Sequence, residues 1–460
     1  MMADGSASHG LDVASINDNL TSLAARENIP QWDLGAACST DSSVQVDRGQ
    51  VKQMKGAQRS SITVRVWNRQ GLVGITSTSD LTESGLEQAL IGAHQASEFG
   101  NPNDVPAFSP LAKAPLPELD CPLKPLQGIK ELLGRLKDAE AKLLDSHPAI
   151  QTVPYNGLGE STSQRIYINS EGALRQRERS QASLYLYARA EEDGRKPRSS
   201  GAMRLSYGCE DLDVQGCIDE AASRTISHLN YRPIDTGRYL VCFTPEAFLD
   251  LIGAFSSMFN ARAVLDGVSL SQKDSIGHSI AAPFFSLHDN GLHPGNVGAS
   301  AFDGEGTPTT KLTLVHAGQL ESFLHSEATA RAFGVMPTGH AGLGAKVSVG
   351  PDWFQISTTE GCSSGTTHLN HLITKEPFVL IEDLSALHAG VKASQGSFSL
   401  PFDGWLVTQG ERISIEAATV AGDIRSVLKG LVHLEPEEVI TPRGVSPHVW
   451  VDDLSITGEA

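Results

Sequence analysis

The sequence predicts an α+β protein of two domains. The N-terminal α+β domain, residues 1–230, should hold a twisted antiparallel sheet, and the C-terminal domain, residues 231–460, should be mainly antiparallel, barrel-like β structure. Three observations predict this. The 460 residues exceed what one hydrophobic core usually organises. The 44 glycines favour many turns. Alternating apolar runs that meet Asn- and Gly-containing turns indicate hairpins.

The first elements follow from hydrophobic spacing. Residues 10–30 predict an amphipathic helix that ends before Pro30. A strand with apolar residues at 62, 64 and 66 reaches a turn at 68–71 and returns through 72–75. Asp80, with Glu83 three residues later, indicates a capped helix start. The order is therefore helix, hairpin, helix.

A stretch of seven prolines follows, between residues 101 and 125, and predicts a stiff crossing segment that is extended along the surface. Apolar residues from Ile129 to Leu143 then lie on one helical face. A second hairpin turns at 169–172, so the order of the first elements is echoed. Because Asn and Gly are common turn residues, this echo alone is slight evidence of a duplication.

The domain boundary is placed near residues 231–237. A buried strand is predicted at 239–243, and Thr244 followed by Pro245 is typical of a helix start. Beyond His278 the chain is rich in glycine and short strand candidates, which favours a curved sheet or barrel. The last predicted helix spans 423–431.

Composition excludes several kinds of partner. With 36 Lys and Arg against 54 Asp and Glu, the net charge of −18 repels nucleic acids and anionic membranes. No window holds 18 uninterrupted apolar residues, and the first residues lack the pattern of a signal peptide. The six cysteines are scattered, which disfavours a disulfide framework or a Cys-rich zinc module. We therefore expect a cytoplasmic protein.

Five segments in the second half carry a family resemblance. They are the aromatic-acid-glycine run 302–308, the hairpin 314–324, the Ala-rich stretch 328–334, the succession of Gly, Phe, Trp and Glu at 396–411, and the final strand 446–458. In order and spacing they resemble the TldD/PmbA family, once called modulators of DNA gyrase. The first half agrees with the family in organisation more than in motifs.

The resemblance also implies a difference. TldD-like chains carry H-E-x-x-x-H on the first helix of the second domain and a late cysteine, which together hold zinc with a glutamate as general base. Here Gly253, Ala254 and Met258 occupy the motif positions. The late segment 431–435 has no cysteine, and His433 alone cannot replace the site. The chain therefore resembles the PmbA (TldE)-like members, without a metal or catalytic residues at the family's site.

One other cluster is rich in possible ligands. It runs from His288 and Asp289 through His293 and includes Asp303 and Glu305. His293, Asp303 and Glu305 are candidates for acid/base chemistry or an alternative metal site. The favoured interpretation is that these acids bond locally in turns. Both kinds of family member carry the acids at 303 and 305, so the resemblance implies a structural role or one in shaping the peptide groove.

Three further features have plain interpretations. His368 and His371 are interpreted as solvated loop histidines, and Cys362 as a small loop residue rather than a nucleophile. Arg175, Arg177 and Arg179 alternate along a strand and share one face. That face is either a contact for an acidic partner or, as favoured, a solvated side of the sheet.

The resemblance implies a subunit of a zinc metallopeptidase complex that acts on unfolded or extended peptides. A TldD-like partner would supply the zinc, in a heteromer, while this chain alone could form a homodimer. Two alternatives stay open: a self-sufficient hydrolase using the His288–Glu305 cluster, and a binding protein that regulates a topoisomerase or another partner.

Overall fold

The computed structural model describes residues 11–102, 105–344, 346–361, 369, 373 and 377–458. Cys362, His368 and His371 lie outside these residues. The described part is mixed α and β, with antiparallel sheets and one closed barrel, as the sequence predicts. No described helix is long and apolar enough to cross a membrane.

The first half is built on one six-stranded antiparallel sheet of order β3-β2-β1-β4-β5-β6. Its strands are β1 (Gln31–Asp47), β2 (Gln50–Trp67), β3 (Val73–Thr78), β4 (Ile150–Asn169), β5 (Leu174–Ala190) and β6 (Arg198–Ser206). Its helices are α1 (Val13–Arg26), α2 (Glu83–Ala96), α3 (Ile129–Asp145) and α4 (Val214–Ser227).

The echo in the sequence corresponds to a repeat in this fold. The order helix, three strands, helix occurs twice, and the first strands of the two repeats, β1 and β4, pair antiparallel at the centre. Helix α3 buries Leu132, Leu136 and Leu143, the face predicted from spacing. The cap of α2 differs from the prediction. Thr82 is the N-cap, because its hydroxyl accepts the Gly85 N–H, while the Asp80 carboxylate accepts the Thr82 N–H.

Side chains alternate across the sheet and separate its two faces. Even-numbered residues of β1, such as Leu34 and Val44, belong to the apolar clusters beneath the helices. Odd-numbered residues turn the other way, towards the second half of the chain. Gly35 is one of them, and a Cβ there would lie 2.5 Å from Leu343 Cδ2. The face that the helices leave open is thus a docking face.

The second half contains a closed five-stranded barrel and a second sheet. The barrel closes because β8 (Gly237–Phe243) pairs with both β23 (Val449–Gly458) and β15 (Phe378–Leu384), while β17 (Ser397–Thr408) and β19 (Ala418–Asp423) complete the ring. The second sheet has six strands, in the order β11 (Gln319–Leu320), β10 (Lys311–His316), β9 (Phe285–Asn290), β14 (Phe354–Thr358), β22 (Gly444–Ser446) and β21 (Val439–Thr441). One large apolar cluster fills the space around the first helix, α5 (Pro245–Ala254), whose N-cap Thr244 accepts the Ala247 N–H as its sequence indicates.

The remaining elements are mostly short. The strands are β7 (Tyr231–Arg232), β12 (Ala341–Gly342), β13 (Ser348–Val349), β16 (Val391–Lys392), β18 (Glu411–Ile415) and β20 (Leu431–Leu434). The helices are α6 (Ala261–Leu265), α7 (Glu327–Phe333), α8 (Leu387–Gly390) and α9 (Ile424–Lys429).

The proline-rich segment lies partly between the halves, not wholly on the surface as predicted. Phe108, Ser109 and Ala112 are buried. The Ser109 hydroxyl accepts a hydrogen bond from Thr307 Oγ1 at 2.8 Å, and the Ala107 N–H donates to Glu327. Prolines keep the segment extended, so its backbone groups are free to bond to the second half.

A buried ion network joins the two halves. Arg65, on the docking face of β2, donates from Nε to Asp33 Oδ1 at 2.9 Å and from Nη1 to Glu305 Oε1 at 3.2 Å. The Tyr167 hydroxyl donates to Asp33 Oδ2, and Glu305 Oε2 accepts the N–H of Glu327 at the start of α7. Arg65, Asp33 and Glu305 have fully buried side chains, so each depends on the others for its charge.

Replacing Arg65 by Met should therefore lower the free energy of unfolding by about 3–5 kcal/mol, because two buried carboxylates lose their cation. Arg26→Met is the matched control, since Arg26 pairs with Glu87 at an exposed site and should cost less than about 1 kcal/mol. Urea denaturation followed by circular dichroism measures both. Equal losses of unfolding free energy in the two variants would contradict the idea that this network holds the joint, which is the contact between the two halves of the chain.

Candidate functional site

A cleft of about 720 Å³ lies between the two halves. One wall belongs to the six-stranded sheet and α4, and the other to the start of α5, strand β21 and two loops of the second half. The wall residues of the first half are Gln181, Met203, Arg204, Leu205, Glu220 and Arg224. The opposite wall includes Glu246, residues 295–298, Asp352, Trp353 and residues 439–442.

Strand β6 presents an open edge to this cleft. Among the described residues, β6 pairs only with β5, so no strand covers its other edge, although side chains of α4 bond to the carbonyls of Ser200 and Gly201. Met203, Arg204 and Leu205 of β6 line the cleft, and Met203 is 43% exposed. An open edge of this kind can accept an extended peptide as an additional strand.

Charges on the cleft wall are largely paired with each other. Glu220 lies 2.7 Å from both Arg204 and Arg224, and Arg224 also reaches Glu246 at 3.3 Å. These pairs connect β6, α4 and the start of α5. They hold the wall of the first half against the second half.

The arginine face of β5 is a contact within the chain and not the solvated face favoured from sequence. Arg175 Nε donates to the Gly306 carbonyl, and Arg177 and Arg179 both donate to the Gly298 carbonyl. Burial and the neighbouring Arg179 lower the pKa of Arg177 to about 10. The three side chains therefore help to dock the sheet on the second half.

The acids of the 302–308 run serve the same joint. Asp303 Oδ1 accepts the N–H groups of Glu305 and Thr307, and Oδ2 accepts that of Ala341. Burial raises the pKa of Asp303 to about 7, although these N–H bonds oppose the rise. Asp303 thus bonds locally, as the favoured interpretation expects, whereas the Glu305 carboxylate bonds to Arg65 of the first half.

The histidines of the predicted cluster lie apart from those acids. His288 Nδ1 is 3.1 Å from Thr313 Oγ1, and burial lowers the pKa of His288 to about 4. His293 Nδ1 accepts the Gly295 N–H, and its ring stacks on Trp353 at 6.4 Å. Within the described residues, neither histidine joins Asp303 or Glu305 in a group of three ligands. The cluster seen in the sequence is thus not one site.

Asp289 instead meets two residues that sequence reasoning missed, His340 and Asp352. One potential ligand atom from each lies within 4.8 Å of the others. Asp289 and His340 are buried, whereas Asp352 reaches solvent in the cleft even though protein atoms crowd its carboxylate. No local spacing connects residues 289, 340 and 352, so only the pairing of β9 with β14 brings the two acids together.

The three residues that the family resemblance assigns to the zinc-motif positions differ in environment. Gly253 is exposed and a Cβ there would meet no atom within 4 Å, while Ala254 is the last residue of α5. Met258 follows in a 3₁₀ turn (Ser256–Phe259) and is only 3% exposed, inside the apolar cluster. His433 is buried on β20, 3.6 Å from Glu435.

Comparison with known families agrees with this architecture. Three models of one metallopeptidase family match successive parts of the chain: PmbA/TldA metallopeptidase domain 1 at residues 39–97, the central domain at 125–229 and the C-terminal domain at 236–458. The chain is also similar to the metalloprotease PmbA of Escherichia coli O157:H7, with 23% identity over 87% of this chain and 86% of that protein.

Two solved structures share the fold. A putative modulator of a DNA gyrase from Thermotoga maritima superposes with a TM-score of 0.85 at 24% identity, covering 96% of this chain and all of that one. TldE from Thermococcus kodakarensis superposes with a TM-score of 0.79 at 18% identity, with the same coverage.

The packing of the 302–308 run against the six-stranded sheet can be tested by substitution of a glycine. Gly306 has φ +75°, and an added Cβ would lie 2.5 Å from the Tyr167 ring, whereas Gly172 has φ +85° with no atom within 4 Å. Both Ala variants should lose about 1–2 kcal/mol from backbone strain. Gly306→Ala should lose about 1–3 kcal/mol more, from overpacking against Tyr167. Thermal unfolding by calorimetry compares them, and equal shifts would argue against a tight joint.

Proposed function

Because the chain belongs to the PmbA/TldD metallopeptidase family, we propose that it is the PmbA-like subunit of a two-chain peptidase whose TldD-like partner holds the catalytic zinc. The observation that carries this proposal is the replacement of all three motif positions by Gly253, Ala254 and Met258. None of these side chains can bind zinc as imidazole does or accept a proton from a water molecule.

The local structure supports this assignment in addition to the identities of the three residues. Helix α5 ends at Ala254, so Met258 lies beyond it, in a turn that is packed into the apolar core. A ligand at position 258 would have to leave that core in order to meet a metal beside Gly253, which faces open space. At position 258, therefore, an apolar core residue stands where this assignment would place a zinc ligand.

The cleft suggests what this subunit contributes. The open edge of β6 can pair with the backbone of an unfolded or extended peptide, and such pairing selects for extension more than for particular side chains. The paired charges of Arg204, Glu220 and Arg224 bond to each other and so offer fewer hydrogen bonds to a bound peptide. In this proposal the present chain holds peptide and the partner cleaves it.

Purified alone, the chain should not cleave an unstructured reporter peptide in a chelator-sensitive way. Enzymes accelerate their reactions roughly a millionfold or more. A chain without the zinc ligands and the general base should therefore have no detectable activity. Mixing with a TldD-like chain from the same organism should give cleavage that a zinc chelator abolishes. Fluorescent peptide hydrolysis measures both.

The control for that assay is a triple variant, Gly253→His, Ala254→Glu and Met258→His. It should remain inactive alone, because the late cysteine is missing and residue 258 is packed in the core. Robust cleavage by the lone wild-type chain that a chelator abolishes would overturn the assignment. Failure of every TldD-like chain to bind and to yield activity would overturn the two-chain proposal.

Peptide binding in the cleft can be tested separately in the mixed complex. Met203→Glu should raise KM for an acidic or neutral peptide about three- to tenfold, since a charge would replace an apolar contact at the open edge. Met54→Glu is the matched control, because Met54 is similarly exposed, at 55%, but outside the cleft. If the two variants have the same KM, β6 is not the peptide site.

A further inference from the structure

The cluster of Asp289, His340 and Asp352 is separate from the positions of the family's zinc motif. It lies at the cleft, where Asp352 and its neighbour Trp353 form part of the wall. The three side chains offer one nitrogen and two carboxylate oxygens within 4.8 Å of one another. This is a ligand set that can bind a single metal ion.

The backbone fixes both acids in place. Residues 354 and 289 are partners in the pairing of β14 with β9, so the turn before β14 lies beside Asp289. The Asp289 carboxylate accepts the N–H of Asp352 at 2.9 Å and that of Trp353 at 3.3 Å. These bonds orient the carboxylate of Asp289, and each of its oxygens keeps a second lone pair for another partner.

The orientation of His340 is set by Thr338. The Thr338 hydroxyl donates its proton to the His325 carbonyl at 3.2 Å, and it lies 2.8 Å from His340 Nδ1. If the Thr338 hydroxyl keeps its proton on the His325 carbonyl, Nδ1–H is the donor to Thr338, and Nε2 of the neutral ring is left with a lone pair. A second ring nitrogen held by a hydrogen bond in this way is the usual support of a metal-binding histidine.

His340 Nε2 points into the cluster without a hydrogen bond of its own. The residue is 4% exposed, and Nε2 is a buried nitrogen with no hydrogen-bond partner, although it lies 3.4 Å from Asp289 Oδ1. A buried polar atom in this condition is costly unless another group completes its bonding. A lone pair that faces carboxylate oxygens calls for a positive group between them.

We propose that Asp289, His340 and Asp352 bind one divalent transition-metal ion at the wall of the cleft. Two carboxylates and one imidazole suit ions such as Mn²⁺ and Zn²⁺, which accept mixed oxygen and nitrogen ligands. Asp289 and His340 form the buried floor, and Asp352 closes the set from the cleft, which gives the ion an entry path. The three protein ligands leave further coordination positions free for water or for a carbonyl group of a bound peptide.

Calorimetric titration of the metal-stripped full chain with Mn²⁺, and separately with Zn²⁺, tests this site. The wild type should bind one equivalent and unfold at a higher temperature when saturated. Loss of a residue that merely supports a ligand weakens metal binding about 10- to 100-fold, so Asp352→Asn and His340→Gln should weaken it by at least that factor. Asp452→Asn, at an exposed acid away from the cluster, should leave binding unchanged.

Asp352→Asn is the deciding variant. The side chain of Asp352 reaches solvent in the cleft, and among the described residues it accepts no hydrogen bond on which the fold depends. Binding that survives in this variant, or a wild type that binds neither ion below about 1 mM, would overturn the proposal. In the second case His340 and Asp289 are a buried ion pair only. The titration needs neither the partner nor peptidase activity, so its failure leaves the proposed function standing.

Discussion

The burial of Arg65 between Asp33 and Glu305 is the constraint on which the arrangement of the two halves depends. Asp33 and Arg65 lie on paired residues of β1 and β2, so they meet on the docking face of the sheet. Removing three charges from water is costly unless each finds its partners. Glu305 can reach Arg65 only if the 302–308 run sits against that face. The cleft beside the joint inherits its shape from this fit.

Sequence patterns predicted where helices and strands lie better than they predicted which faces of the strands are buried. The hairpins, the start of α5 and the apolar side of α3 follow from spacing and caps that act within a few residues. The faces of long strands are harder, because alternation assigns every second residue to solvent whenever the other face is apolar. Arg65, Arg175 and Arg177 follow that pattern, yet they contact the second half. Only the tertiary arrangement distinguishes a docking face from a solvated one.

The candidate sites show the same limit. Sequence proximity grouped His288 and His293 with Asp303 and Glu305, whereas the structure gives the two acids to the joint and leaves both histidines in other contacts. A strand directs neighbouring residues to opposite faces, so adjacent positions such as 288 and 289 rarely serve one site. Asp289 meets His340 and Asp352 through strand pairing, across 51 and 63 positions of sequence that no local motif spans.

Met258, which the family resemblance assigns to a zinc-ligand position, differs from a ligand in its packing as well as in its identity. Met258 contributes to the same apolar cluster as Phe255 and Phe259, which are among the largest fully buried side chains of the chain. An imidazole in its place would lose hydration without gaining a hydrogen-bond partner, at a cost of about 1–3 kcal/mol. Introducing a zinc ligand at position 258 would therefore require repacking of this turn as well as the change of residue.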